Sequence, residues 1–196
     1  MRSVISWGVA CALFFVQAVA CFGANISGDE KKQLDDLFTP LAEANIQSFT
    51  QHSLTDLMMT DFAQLFLVCH EAKSLHKKNS VTTVIPSAQV DGVTERFFGR
   101  KVSGHASAEY ETSPCSNDVE LFSQVDELIA LGDDRFEARG TSYYVKGDTK
   151  LDRHASPDTW KKKGLKIGTS ATFTAVLKPA AEKGQYVIME YTLSLR

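Results

Sequence analysis

The chain has 196 residues, 43% of them hydrophobic, with 24 acidic against 21 basic side chains and a formal charge of −3. That length fits one domain and can bury a core without metal or multiple staples. The charge balance gives no electrostatic reason to expect nucleic acid as a partner.

An apolar run from Val4 to Ala20 follows Arg2, interrupted by Ser6 and Gln17, and ends in Ala18-Val19-Ala20. Small residues at −3 and −1 suit signal peptidase. Residues 1–20 therefore read as a secretory signal peptide, with cleavage after Ala20 or as late as Gly23, and residues 24–196 as a single domain. A retained membrane anchor is the competing reading. The run is short for a span and lacks a basic stop-transfer patch. Export implies the periplasm or cell envelope. Ala18-Val19-Ala20-Cys21 resembles a lipobox, with Ala18 where Leu, Val or Ile is usual, so Cys21 is a candidate lipidation site. A lipid anchor there is the one membrane attachment the sequence suggests. Cys69 and Cys115 remain as an even pair, read as a disulfide in preference to two buried thiols.

From Asp29 to about His52, Leu34, Leu37, Phe38, Leu41, Asn45 and Phe49 recur at helical steps, and Pro40 predicts a break or kink near Thr39. Ser53 and Asp56 resemble a capping box. The helix behind them presents Leu57, Met58, Phe62, Leu65, Phe66, Cys69 and Ala72 as one stripe, with Lys73, His76, Lys77 and Lys78 at its negative pole. In "PSAQVDGVTERFFGRKV", Ser87 is a candidate N-cap, and Val90, Val93 and Phe97 form a short apolar face. Gly99 falls where a left-handed C-terminal cap is needed. A strand is expected from about Lys101.

"SPCSND" reads as a loop. Gly132-Asp133-Asp134 between extended flanks predicts a hairpin, although Val125, Leu128 and Ile129 would also allow a helical turn or two. Asp148 to Lys166 reads as a long polar connection. "TSATFTAVLKP" and "GQYVIMEYTLSLR" read as closing strands, the second apolar on both faces. Helices followed by an antiparallel meander make an α+β domain with helices packed on a curved sheet. The chain resembles uncharacterised exported bacterial proteins with an NTF2-like or cystatin-like domain. The residues that carry the likeness, loosely over 54–196, are Val90, Val93, Phe97, Phe98, Gly99 and Tyr186 to Leu193. The resemblance implies a fold and an envelope location, and no reaction.

Little in the sequence points to chemistry. His52, His70, His76, His105 and His154 stand in no HExxH, HxH or CxxC context, so no metal site is expected. No GxSxG elbow, nucleotide-binding glycine pattern or EF-hand spacing is present. No catalytic residue and no cofactor are assigned. His105, with Tyr110 or Glu109 nearby, is the one histidine placed to enter a concave sheet. Trp160 beside Lys161, Lys162, Lys163 and Lys166 suits either contact with anionic lipid heads or an acidic partner, or a solvated loop whose Trp tucks onto the sheet; the solvated loop is preferred. The expectation is an exported, non-catalytic module that binds a small apolar ligand or an envelope protein through its concave face. The alternative is a small NTF2-like enzyme with a His or carboxylate in that cavity, and a closed cone would favour a purely structural role.

Overall fold

The computed structural model describes residues 26–115, 119–182 and 184–195. The expected leader over 1–20, its expected cleavage point and the candidate lipidation site Cys21 lie outside those residues. Among the described residues no helix is long and apolar enough to cross a membrane.

Helix α1 spans Gly28–Glu43, and Ser27 caps it by accepting the Glu30 N–H. It ends well short of His52 because Asn45 takes a left-handed turn at φ 48°, which Asn tolerates better than most residues. The chain then reverses, and Phe49–Thr50 form strand β1. Pro40 lies inside the helix without breaking it. It sits within the last turn, so the one backbone bond it forfeits is close to the helix end.

Helix α2 spans Asp56–His70, and its cap is Thr55, which accepts the Met58 N–H at 3.2 Å. Ser53 serves the preceding turn instead, accepting from the Thr50 N–H at 2.8 Å. The buried face of α2 runs through Met59, Phe62, Ala63, Phe66 and Leu67, and Leu57 is exposed. With apolar residues almost all round this helix, periodicity does not determine its phase. The helix ends at His70, so His76 and Lys77 belong to the short strand β2 and not to its last turn.

Strand β3 (Thr83–Pro86) leads directly into α3 (Ser87–Phe98). The N-cap is Pro86 and Ser87 is the first helical residue. Gly99 is left-handed at φ 69° and its N–H closes on the Glu95 carbonyl, as the sequence led us to expect. The segment from Lys101 to Ala108 is irregular, and strand β4 begins only at Glu109, running to Thr112. Two helix carboxylates hold that loop: Asp56 accepts from Ser103 Oγ and the Gly104 N–H, and Asp91 from the Val102 N–H at 3.2 Å.

The remainder is a meander. Strands β5 (Val119–Gly132) and β6 (Arg135–Lys146) form a hairpin whose turn residues Asp133 and Asp134 both have positive φ. That is the backbone signature of a type I′ turn. The connection after β6 contains helix α4, Pro157–Lys162, capped by Ser156, which the polar composition concealed. Strands β7 (Gly168–Pro179) and β8 (Tyr186–Leu195) complete a five-stranded antiparallel sheet in the order β1-β8-β7-β6-β5. β2, β3 and β4 make a separate small sheet.

Helices α1 and α3 cover one face of the large sheet, and α2 packs on α3. Phe38 lies 4.6 Å from Phe173 between ring centroids, Phe62 4.9 Å from Phe97, and Phe49 5.6 Å from Phe98. Phe173 lies over Gly140, where a Cβ would stand 2.4 Å from its ring. On the opposite face Phe122, Tyr143, Val145 and Trp160 form a smaller cluster. A disulfide joins Cys69 at the end of α2 to Cys115 ahead of β5, with Cα atoms 5.0 Å apart.

Gly99 and Phe97 should therefore act on stability. Gly99→Ala forces a Cβ into the left-handed region and should cost about 1 kcal/mol. Phe97 is 3% exposed, so Phe97→Ala should cost about 3–5 kcal/mol. Urea titration of both variants checks the order.

Candidate functional site

The concave face of the large sheet is the natural place for a site. Inward-facing residues alternate along β7, where Ala171, Phe173, Ala175 and Leu177 are buried. Almost all of this face is covered. Among the described residues it leaves open a cleft of about 80 Å³ past the end of α1, lined by Leu41, Ile46, Leu121, Leu193 and Leu195 together with Ser142, Ser170 and Tyr191. Ser123 and Ser142 share a hydrogen bond of 3.0 Å, and Ser170 Oγ donates to the Ser142 carbonyl at 3.1 Å. Burial pushes the Tyr191 phenol upward, and its hydrogen bond with Ser142 opposes that in part. Among the described residues no histidine and no carboxylate lines the cleft.

Sequence reasoning placed His105 near Tyr110 in the concave sheet. The pairing is present: His105 Nδ1 lies 2.9 Å from the Tyr110 hydroxyl, and Nε2 lies 3.0 Å from Asp91 Oδ1. The location differs. His105 sits on the loop between α3 and β4, beside the small sheet, because Asp91 and Asp56 draw that loop against the helices. With a neutral ring, Nε2–H donates to Asp91 and Nδ1 accepts from Tyr110, so neither nitrogen has a free lone pair for a substrate. The group fastens a loop.

His70 pairs with Glu43 at 2.5 Å and stacks on Phe66. His52 is exposed, and His76 lies on β2. Among the described residues no three His, Cys, Asp or Glu side chains converge to hold a metal ion. Trp160 is 3% exposed and donates its indole N–H to the Asp152 carbonyl at 2.8 Å, so it does tuck onto the sheet.

Periodicity missed the polar face of α1. Asp35 and Thr39, both buried, stand one turn apart and meet the edge strand β5. Asp35 accepts the Val125 N–H at 2.7 Å, and Thr39 Oγ1 accepts the Ser123 N–H at 3.1 Å while donating to the Asp35 carbonyl. Lys31 binds the same carboxylate at 2.8 Å, and His154 approaches it at 3.2 Å from the β6–β7 connection. An i, i+4 Asp/Thr pair beside the apolar stripe was the available signal.

Two open grooves lie elsewhere. One, of about 410 Å³, runs between α1 and the β7–β8 turn and is lined by Gln33, Asp36, Arg96, Gln185 and Tyr186. Burial and a hydrogen bond to Glu30 push the Tyr186 phenol up to about 12. The other, of about 480 Å³, lies against the small sheet. Comparison with protein-family models, curated proteins and solved structures finds no match for this chain.

Asp56 gives a pH test of the loop that carries His105. Its hydrogen bond from Ser103 is the chief reason its carboxyl lies below the ordinary 3.8. A depressed carboxyl stabilises the fold fully above its unfolded value and loses that contribution as the pH falls. Wild type should therefore melt higher than Asp56→Asn at neutral pH, and the gap should close below about pH 4. Circular dichroism melts across that range check it.

Proposed function

We propose that the protein is an exported, non-catalytic interaction module of NTF2-like or cystatin-like type, acting through its surface rather than through an internal cavity. One observation carries this reading: the protein's own helices cover the concave face except at an open end where Leu195 and Tyr144 stand exposed, and that end favours a contact surface over the purely structural role a fully closed cone would imply. The cleft of about 80 Å³ that remains is far below the roughly 300–1,000 Å³ of a ligand pocket. It admits the tip of a small apolar group and, among the described residues, offers no histidine or carboxylate to move a proton.

Export is supported by the leader pattern of residues 1–20 and by the Cys69–Cys115 disulfide, a bond that persists in oxidising compartments. Cys21 is the candidate lipid attachment. The enzyme alternative needs His105 and a carboxylate in the cavity. Their position outside it, with both ring nitrogens engaged, weighs against that alternative. The contact surface we assign is the open end of the concave face, around Leu195 and Tyr144, which are 76% and 47% exposed.

Photo-reactive side chains introduced in cells at Tyr144, Leu195 and, as controls, at the exposed Leu57 and Leu131 test the assignment. Adducts, to protein or to lipid, should form at Tyr144 and Leu195 and not at the controls. Equal labelling at all four positions, or none at the open end, would contradict it.

A further inference from the structure

The connection between β6 and β7 meets one end of the large sheet, its helix α4 on the outer face and the strand ends opening toward the concave face. Residues 146–166 carry seven basic side chains against three acidic, a net of +4 in a chain of −3, which leaves −7 for the remainder. Arg153 is committed to Glu120, and Lys146 lies 3.7 Å from Asp148. Lys150, Lys161, Lys162, Lys163 and Lys166 are exposed and, among the described residues, meet no carboxylate at ion-pair distance.

Apolar side chains gather at the same end. Three of the six exposed large hydrophobics among the described residues lie there: Val119, Tyr144 and Leu195, at 52%, 47% and 76% exposure. Val119 pairs with Lys146 and Leu121 with Tyr144. Leu195 pairs with Ala171, which pairs with Ser142. Alternate residues of a strand share a face and paired residues do too. Val119, Tyr144, Lys146 and Leu195 therefore all project from the concave face, beyond the reach of α1. Lys146 leaves the sheet and Lys166 approaches it at this same end.

The chemistry of this surface selects its partner. The five lysines are separate point charges on exposed backbone, without a fork or pocket that fixes one anion, and they suit a spread array of phosphates. A tyrosine and two aliphatic side chains beside them suit the boundary between headgroups and acyl chains. Trp160, buried under α4, acts as the anchor of the basic loop and not as the inserted residue. We propose that this end of the molecule docks on an anionic phospholipid bilayer, with the lysines over the headgroups and Val119, Tyr144 and Leu195 at the interface. The inference rests on the reading of this end as the contact surface, and it names the partner class.

Flotation of the full-length chain with vesicles of phosphatidylcholine, or of equimolar phosphatidylcholine and phosphatidylglycerol, tests it. The N-terminal run carries Arg2 and the terminal amine and so responds to lipid charge itself; its share is the same in every variant, and the comparison between variants removes it. Anionic lipid should add a component that disappears in about 1 M salt. Combined Lys161→Gln, Lys162→Gln and Lys163→Gln should weaken that component about a hundredfold, at about fivefold per lysine. Lys32→Gln, Lys73→Gln and Lys77→Gln together, all exposed elsewhere, should leave it unchanged. Paired Tyr144→Ser and Leu195→Ser should weaken it with no change in salt dependence, an arm that holds should the lysine variant fold poorly. No gain with anionic lipid, or an equal loss from both lysine sets, would overturn the proposal. Adducts at Tyr144 and Leu195 formed with protein alone would overturn the lipid assignment while leaving the contact surface in place, whereas the absence of adducts there would remove both.

Discussion

The structure depends on one buried carboxylate. Strand β5 is the edge of the large sheet, and an uncovered edge is a row of unpaired amides open to any other strand. Asp35 takes the Val125 amide and Thr39 the Ser123 amide, so α1 closes the middle of that edge with side chains where a further strand would use backbone. A charge taken out of water is costly unless it is fully hydrogen-bonded. Lys31, the Val125 N–H and His154 supply the donors, from three separate parts of the chain. The bulge between Val125 and Glu127 follows immediately and bends the strand away once the capped stretch ends.

The position of α1 follows from that capture. With Asp35 and Thr39 held at the edge, Leu34, Phe38 and Leu41 are directed onto the sheet, and Phe38 meets Phe173 and Tyr191. The concave face is then closed up to the end of the helix at Glu43. Beyond it the sheet continues, which is why the small cleft and the exposed Tyr144 and Leu195 lie together. The same carboxylate receives His154, so the basic connection is tied to the β5 edge between its departure at Lys146 and its return at Gly168. A filled interior and a charged, apolar-rimmed end thus share one cause.

Much of this was legible where a local signal has one physical solution. Gly99 after a short apolar helix favours a left-handed turn, Gly132-Asp133-Asp134 favours a hairpin over a helical turn, and an even pair of cysteines favours a disulfide over two buried thiols. The closing strands were readable from their apolar content. Phe49 kept helical spacing with α1 yet belongs to β1, because Asn45 ends the helix and Tyr191 offers Phe49 a partner distant in sequence. Ser53 and Thr55 are both acceptable caps, and only the turn at Thr50 decides between them. The phase of α2 was hidden by apolar residues all round it. His105 was found with its correct neighbour and the wrong surroundings, since the carboxylates that place its loop, Asp56 and Asp91, lie on two other helices. Asp35 looked like one more surface acid, because nothing local distinguishes an exposed carboxylate from one that meets a sheet edge.

Amide hydrogen exchange at Val125 and Ser123 tests the edge capture most directly. Ordinary edge amides that face solvent exchange through small local openings. If Asp35 and Thr39 hold them, both should exchange only on the scale of the central strands, and Asp35→Asn with Thr39→Val should release them by orders of magnitude while amides of β7 change far less. Rapid exchange at Val125 in the wild-type protein, at the rate of an uncovered edge, would contradict the account.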